Sequence, residues 1–147
     1  MHESEPPAAN SGNAPAAPRP AALVVDDDHS VRLVARLMLT RLGWLVDEAS
    51  DGDEALTRLT PGVSPPHYDL VLCDVRMPRM SGIELCAHLV AMRPEVLEHL
   101  VLYSGTLHDD AVTRFLANIA VPTIAKPFSF AELEAMANRM RQKRTGV

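Results

Sequence analysis

Short apolar runs alternate with amphipathic stretches along most of this chain. Runs of this kind, bounded by polar or turn-forming residues, are typical of strands buried on both faces of a parallel sheet. Five of them are predicted as strands: 21–25, a strand beginning at 44–46, 70–73, 100–103 and 121–125. Five segments carry apolar residues at helical spacing: 31–42, 55–59, 83–90, 112–119 and 130–140. This alternation predicts an α/β fold, a doubly wound five-stranded parallel sheet with five helices on its two faces.

Polar and turn-forming residues indicate where several of these elements begin and end. Ser30 is predicted to cap the first helix, because a hydroxyl can accept from the unpaired amides of the first turn. Asp28 is either a solvated loop residue or a second cap. Gly43 is predicted to end the helix, and the turn at 51–52 leads into the next one. The segment 61–66, with its prolines and glycine, is predicted to be a loop.

The chain has the length of one globular domain, with 147 residues. Residues 1–20 are mainly Pro, Ala, Ser, Asn and Gly, and such a segment buries too little apolar surface to offset the entropy of ordering it. We therefore expect a disordered tail or linker at 1–20, one domain at 21–142 and a short C-terminal tail at 143–147.

The overall composition narrows the range of partners. The net charge is −5, and the basic cluster at 139–144 lies where cations complement the dipole of a last helix. Direct binding to nucleic acid, which usually requires a basic patch, is therefore not expected. The sequence has no apolar run of the roughly 18 residues that a membrane span needs. The N-terminus also lacks a secretory signal, so a cytoplasmic protein without membrane contact is expected.

The two cysteines, Cys73 and Cys86, are too few for a disulfide framework or a zinc site of their own. Cys73 lies in an apolar run and Cys86 in a helical pattern, so both are predicted to be small core residues. The six histidines show no spacing typical of metal ligands.

Chemically active side chains follow the predicted strands at their carboxyl ends. They are Asp26 and Asp27 after the first strand, Asp74 after the third, Ser104 after the fourth and Lys126 after the fifth. In a doubly wound sheet these ends lie side by side, so the side chains are expected to converge on one pocket. Clustered carboxylates repel one another unless they share a cation, and oxygen ligands suit Mg²⁺. Since a hydroxyl and an ammonium suit a phosphoryl group, the sequence predicts phosphoryl transfer to Asp74.

Four short blocks carry a resemblance to a known family. They are Val24–Asp28, Asp74–Pro78 followed by Gly82, Ser104–Gly105 and Lys126–Phe128. In this order and spacing they resemble the signature of the receiver domains of two-component systems, over residues 21–142. The resemblance implies a flavodoxin-like (βα)5 fold and a response regulator that takes a phosphoryl group from a histidine kinase or a histidine phosphotransfer protein. Such a protein would catalyse only its own phosphorylation and dephosphorylation, and would signal to a downstream protein that the sequence does not name.

The resemblance also implies a role for each site residue. Four groups would hold Mg²⁺: the carboxylate of Asp26 mainly through water, the carboxylates of Asp27 and Asp74, and the backbone carbonyl of Arg76. Asp74 would accept the phosphoryl group, Ser104 would donate a hydrogen bond to it, and Lys126 would pair with its oxygens. The Lys126–Pro127 peptide bond is expected to be cis.

Two residues depart from the family pattern. Thr123 stands three residues before Lys126, where the family usually has Tyr or Phe with a ring that reports phosphorylation. Arg76 places a long cation two residues after the acceptor, where it is expected to alter the access of water to the phosphoryl group. Both departures concern the output of the domain and the lifetime of the phosphoryl group, and neither changes the transfer chemistry.

Three alternatives stay open from the sequence. Asp26 and Asp28 form the DxD pattern of haloacid-dehalogenase-like phosphatases, although that family has Thr or Val where His29 stands here. A second alternative is an interaction module with a receiver fold that works without phosphorylation, which Thr123 keeps open. The third concerns context, because the stretch 113–117 resembles receivers fused to hybrid histidine kinases. The chain is then either a stand-alone receiver or a part of such a kinase.

Overall fold

A parallel five-stranded sheet forms the centre of this computed structural model. Its strands are β1 (Ala21–Val25), β2 (Leu45–Ala49), β3 (Leu70–Asp74), β4 (Leu100–Ser104) and β5 (Thr123–Ala125). The helices are α1 (His29–Arg41), α2 (Gly52–Leu59), α3 (Gly82–Met92), α4 (Asp110–Asn118) and α5 (Phe130–Arg144), with a short 3₁₀ helix at Pro94–His99. The strand order is β2-β1-β3-β4-β5, which confirms the predicted doubly wound α/β fold.

The structure describes residues 19–60, 67–105, 110–118 and 121–144. Three predicted features lie wholly or mostly outside these residues: the tail at 1–20 apart from its last two residues, the loop at 61–66, and the C-terminal end of the chain at 145–147. The last position of the predicted fourth helix, residue 119, lies outside them as well.

Alternate residues of each strand point to opposite faces, so the sheet carries two cores. One core packs against α2 and α3 and includes the buried strand residues Leu23, Val25, Val71, Cys73, Leu100 and Leu102. The other packs against α1 and α5 and includes Ala22, Val24, Leu70, Leu72, Val101 and Tyr103. Cys73 and Cys86 are both buried free thiols in the first core, as the sequence predicted.

The first helix is capped by Asp28 and not by Ser30, so that prediction was wrong. The helix begins at His29, which places Ser30 inside its first turn. The Asp28 carboxylate accepts from the amides of Ser30 at 2.9 Å and Val31 at 3.3 Å. The predicted stop is confirmed, because the helix ends at Arg41 and Gly43 follows with φ of 96°, a left-handed conformation that suits glycine.

The fifth strand is shorter than the sequence predicted. It begins at Thr123 and not at Val121, because Pro122 has no amide to donate to a ladder. The carbonyl of Pro122 still accepts from the amide of Leu102 at 3.0 Å. The strand therefore stays in register with β4 and delivers Lys126 to the carboxyl edge of the sheet.

Candidate functional site

Two neighbouring strands bring the acidic residues together. Val25 of β1 pairs with Cys73 of β3, so Asp26 and Asp74 follow at the same level of the sheet. Strand order reverses between β1 and β3, and ligands of α/β sheets bind at such a reversal. Asp26, Asp27 and Asp74 each offer a carboxylate oxygen, and these oxygens lie within 4.8 Å of one another. The three predicted acidic residues therefore form one cluster.

Burial makes the negative charge of this cluster costly. Asp26 is 0% and Asp74 5% exposed, whereas Asp27 faces solvent. Burial, and then the charge of Asp26, raises the pKa of Asp74 to about 6, although the Lys126 ammonium opposes the shift. A cation at the cluster would remove this penalty, so the pocket favours binding of a cation.

Lys126 reaches the cluster from β5. Its Nζ lies 3.2 Å from an oxygen of Asp26 and 3.2 Å from an oxygen of Asp74. The Lys126–Pro127 peptide bond is cis, as expected, and the amide of Lys126 donates to the carbonyl of Ser104 at 3.1 Å. Burial lowers the pKa of Lys126, but the charges of Asp74 and Asp26 outweigh it and hold the pKa above its usual value. The side chain is therefore an ammonium that bridges two buried carboxylates.

Asp26 is held by several donors. One carboxylate oxygen accepts from the amide of Asp28 at 2.8 Å. The other accepts from the Tyr103 hydroxyl at 2.6 Å and lies next to Lys126. The backbone carbonyl of Asp26 accepts from the Arg32 guanidinium at 2.7 Å. The sequence analysis missed Tyr103, although a tyrosine in a buried apolar strand needs a partner for its hydroxyl and is a signal in itself.

The loop after β3 lies against the acceptor. The amide of Arg76 approaches a carboxylate oxygen of Asp74 at 3.4 Å, and the amide of Gly82 donates to the carbonyl of Val75 at 2.8 Å. A Cβ on Gly82 would lie 2.4 Å from the carbonyl oxygen of Asp74. Only glycine therefore fits where α3 begins, and this contact sets the path of the loop that carries the Arg76 carbonyl.

Ser104 lies at the same edge of the sheet. It is the last residue of β4, 2% exposed, one position beyond Tyr103, which pairs with Asp74. Its backbone carbonyl ties it to Lys126. The structure therefore gathers Asp26, Asp27 and Asp74 in one cluster, with Lys126 in contact with Asp26 and Asp74, and places Ser104 and Arg76 beside them. The functional roles of all six stay predictions.

The donor set suits Mg²⁺. The cluster offers carboxylate oxygens alone, which is the ligand chemistry of hard divalent cations. Because Asp27 is exposed, one side of the cluster is open to water and to a phosphoryl group, as Mg²⁺ sites usually are. The residues present therefore fit the metal that the sequence predicted.

The fold and the site together define a class of protein: a flavodoxin-like α/β domain with an acidic pocket at the carboxyl edge of its sheet. The family model of the response regulator receiver domain matches residues 22–138. The chain therefore belongs to the response regulator receiver domain family of two-component systems.

Known proteins are similar to the chain over part or most of its length. The two-component response regulator PhoP of Pseudomonas aeruginosa is 33% identical over 124 residues, 84% of this chain and 52% of PhoP. The sensor protein EvgS of Escherichia coli (strain K12) is 46% identical over 67 residues, 46% of this chain and 5% of EvgS. A solved CheY-like receiver domain from Methanospirillum hungatei has a TM-score of 0.75 at 22% identity, covering 88% of this chain and 100% of that one, which supports the fold alone. The match thus spans about half of PhoP and a small part of EvgS.

Among the residues that the structure describes, none of the helices has the length and apolar character to cross a membrane.

Proposed function

We propose that this chain accepts a phosphoryl group on Asp74 from the phosphohistidine of a histidine kinase or a histidine phosphotransfer protein, in the cytoplasm and with Mg²⁺. The observation that carries the proposal is the position of Lys126, whose ammonium lies 3.2 Å from Asp74 within a cluster of three carboxylates. An ammonium beside a carboxylate nucleophile stabilises the charge of an incoming phosphoryl group. Family membership supports the same function.

The transfer forms one bond and breaks one. An oxygen of Asp74 attacks the phosphorus and the P–N bond breaks. The histidine ring, protonated on its other nitrogen, leaves with the electron pair of that bond as a neutral imidazole. When bound, Mg²⁺ would neutralise charge on the carboxylates and the phosphoryl group. Lys126 then pairs with phosphoryl oxygens, and the Ser104 hydroxyl donates to one of them. Attack by water later restores the Asp74 carboxylate and releases phosphate.

The arrangement of Asp26 and Asp28 disfavours the phosphatase alternative. A DxD phosphatase needs the first aspartate as its nucleophile, but both carboxylate oxygens of Asp26 already accept hydrogen bonds. The second aspartate would have to face the pocket, whereas the Asp28 carboxylate caps α1. The amide contact to Asp74 is much longer, 3.4 Å from Arg76 against 2.8 and 2.6 Å for the bonds to Asp26. The other oxygen of Asp74 faces Lys126, so Asp74 is the better nucleophile.

Phosphorylation by a small phosphodonor tests the proposal. Incubation with acetyl phosphate and Mg²⁺ should add one acid-stable, base-labile phosphoryl group, seen by mass spectrometry of the intact protein. Asp74→Asn should abolish the addition, since an amide is neither a nucleophile nor an anionic ligand. Asp28→Asn is the matched control, because asparagine also caps helices and the variant should be phosphorylated like the wild type. Unmodified wild-type protein, or a fully phosphorylated Asp74→Asn variant, would contradict the proposal, and the former would favour an interaction module that works without phosphorylation.

A further inference from the structure

Tyr103 contacts the acidic cluster through its phenol hydroxyl, and it is the only tyrosine among the described contacts of that cluster. Its side chain is 0% exposed in the core between β4 and α5, and its hydroxyl donates to a carboxylate oxygen of Asp26 at 2.6 Å. A phenylalanine would fill the same apolar space, so packing alone does not account for the hydroxyl. The hydrogen bond to Asp26 does.

The same oxygen of Asp26 also faces Lys126, at 3.2 Å. The ammonium of Lys126 lies 4.8 Å from the centroid of the Tyr103 ring, within the range of a cation–π contact. The ring of Phe128 meets the Tyr103 ring edge-on at 5.6 Å between centroids, which fixes the plane of the phenol. Tyr103 therefore touches both groups whose positions decide where a cation and a phosphoryl group can bind.

We infer that Tyr103 is a positioning residue, which holds the Asp26 carboxylate in place and frees Lys126 to move from Asp26 towards the phosphoryl group. The inference rests on the proposed function. Without the hydroxyl, Lys126 is the remaining side-chain donor to that oxygen among the described contacts, so the ammonium stays with Asp26. There it competes with the metal for the carboxylate and is withdrawn from the acceptor. Both effects weaken the site.

The chain contains a matched control for this hydroxyl. Its other tyrosine, Tyr68, is also buried and also donates to a carboxylate, that of Asp47, at 2.6 Å. Tyr68 lies just before the amino end of β3, whereas Asp74 is the last residue at its carboxyl end. Tyr68→Phe and Tyr103→Phe thus remove the same chemical group from bonds of equal length, but only one of the bonds belongs to the site.

The two variants should separate positioning from stability. Mn²⁺ binding followed by electron paramagnetic resonance should be about tenfold weaker in Tyr103→Phe, the lower end of the effect of losing a hydrogen bond to a metal ligand. Phosphorylation by acetyl phosphate should slow by a similar factor. Tyr68→Phe should match the wild type in both measurements, while the melting temperatures of the two variants should fall by similar amounts. Equal Mn²⁺ affinities in the two variants would overturn the inference.

A spectroscopic measurement decides the question even if Tyr103→Phe fails to fold. In Tyr68→Phe, Tyr103 is the sole tyrosine, so growth with 3-fluorotyrosine gives a single ¹⁹F resonance. Mg²⁺ should shift this resonance, because the metal would withdraw electron density from the Asp26 carboxylate that accepts the hydrogen bond of the phenol. The Asp26→Asn variant should not show this shift. An unchanged resonance in protein that binds Mn²⁺ would refute the role of Tyr103. Protein that binds Mn²⁺ but is never phosphorylated would instead contradict the proposed function.

Discussion

Gly82 lies against the backbone carbonyl of Asp74, so closely that a Cβ built on the glycine would fall 2.4 Å from that oxygen. The nearest atoms belong to the backbone, which cannot rotate away as a side chain would. The start of α3 and the end of β3 are therefore so close together that only glycine, which has no Cβ, fits at position 82.

Gly82→Ala should therefore destabilise the protein and weaken cation binding together. The methyl group must push the Asp74 backbone or α3 aside, an overpacking cost of about 1–3 kcal/mol. Gly105→Ala serves as the control, because a Cβ there meets nothing within 4 Å. Urea unfolding followed by fluorescence of Trp44, the sole tryptophan, gives the free energy of unfolding. Equal stabilities of the two variants would show that the helix start yields more easily than the geometry indicates.

Asp27 and Asp28 should separate metal binding from helix capping. Asp27→Ala removes a carboxylate from the cluster and should weaken Mn²⁺ binding by an order of magnitude or more, with little change in stability. Asp28→Ala removes the cap of α1 and should cost about 1 kcal/mol of stability with a small effect on affinity. Calorimetric titration and thermal unfolding of each variant measure the two quantities. A loss of affinity in Asp28→Ala as large as in Asp27→Ala would contradict the assignment.

The raised pKa of Asp74 predicts a pH-dependent stability. The pKa of Asp74 is about 6 in the folded protein and near 3.8 in the unfolded chain. Between pH 3.8 and 6 the folded state therefore keeps a proton that the unfolded chain has lost. Stability from this group is thus fully present below about pH 4 and is lost as the pH rises to about 6. Asp74→Asn cannot ionise, so without divalent cations it should exceed the wild type by roughly 1–3 kcal/mol at pH 7.5. The difference should vanish near pH 4, as measured by urea unfolding across this range; a difference independent of pH would show that the carboxylate is not the cause.

Thr123 should limit how far activation spreads through the sheet. It is partly buried at the start of β5, and its short side chain cannot fill the space of an aromatic ring. Amide resonances of a beryllofluoride-treated sample should therefore move mainly around Asp26, Asp74, Ser104 and Lys126. Contiguous shifts from Thr123 through α5 would show that this domain switches without the aromatic residue of its family.

The sequence predicted the sheet and the meeting of its polar strand ends because both follow from local patterns. Strands buried on both faces are apolar throughout, and parallel strands end at one edge, so Asp26, Asp74 and Lys126 could be placed together from their positions alone. The hydrogen bond between Tyr103 and Asp26 could not, because it joins residues 77 positions apart and depends on how the side chain is packed. The choice between Asp28 and Ser30 as the helix cap depended on where α1 begins, which the pattern of residues places only to within one or two positions.

The bond between Lys126 and Asp26 spans 100 positions of the chain. Synthesis on the ribosome thus delivers the aspartates early and the ammonium last of all the site residues. A chain that ends before β5 contains all three aspartates of the cluster, yet it lacks the ammonium that the proposed transfer needs. Competence for the proposed phosphorylation would then arise only with the final strand, so a chain truncated before β5 should not accept a phosphoryl group.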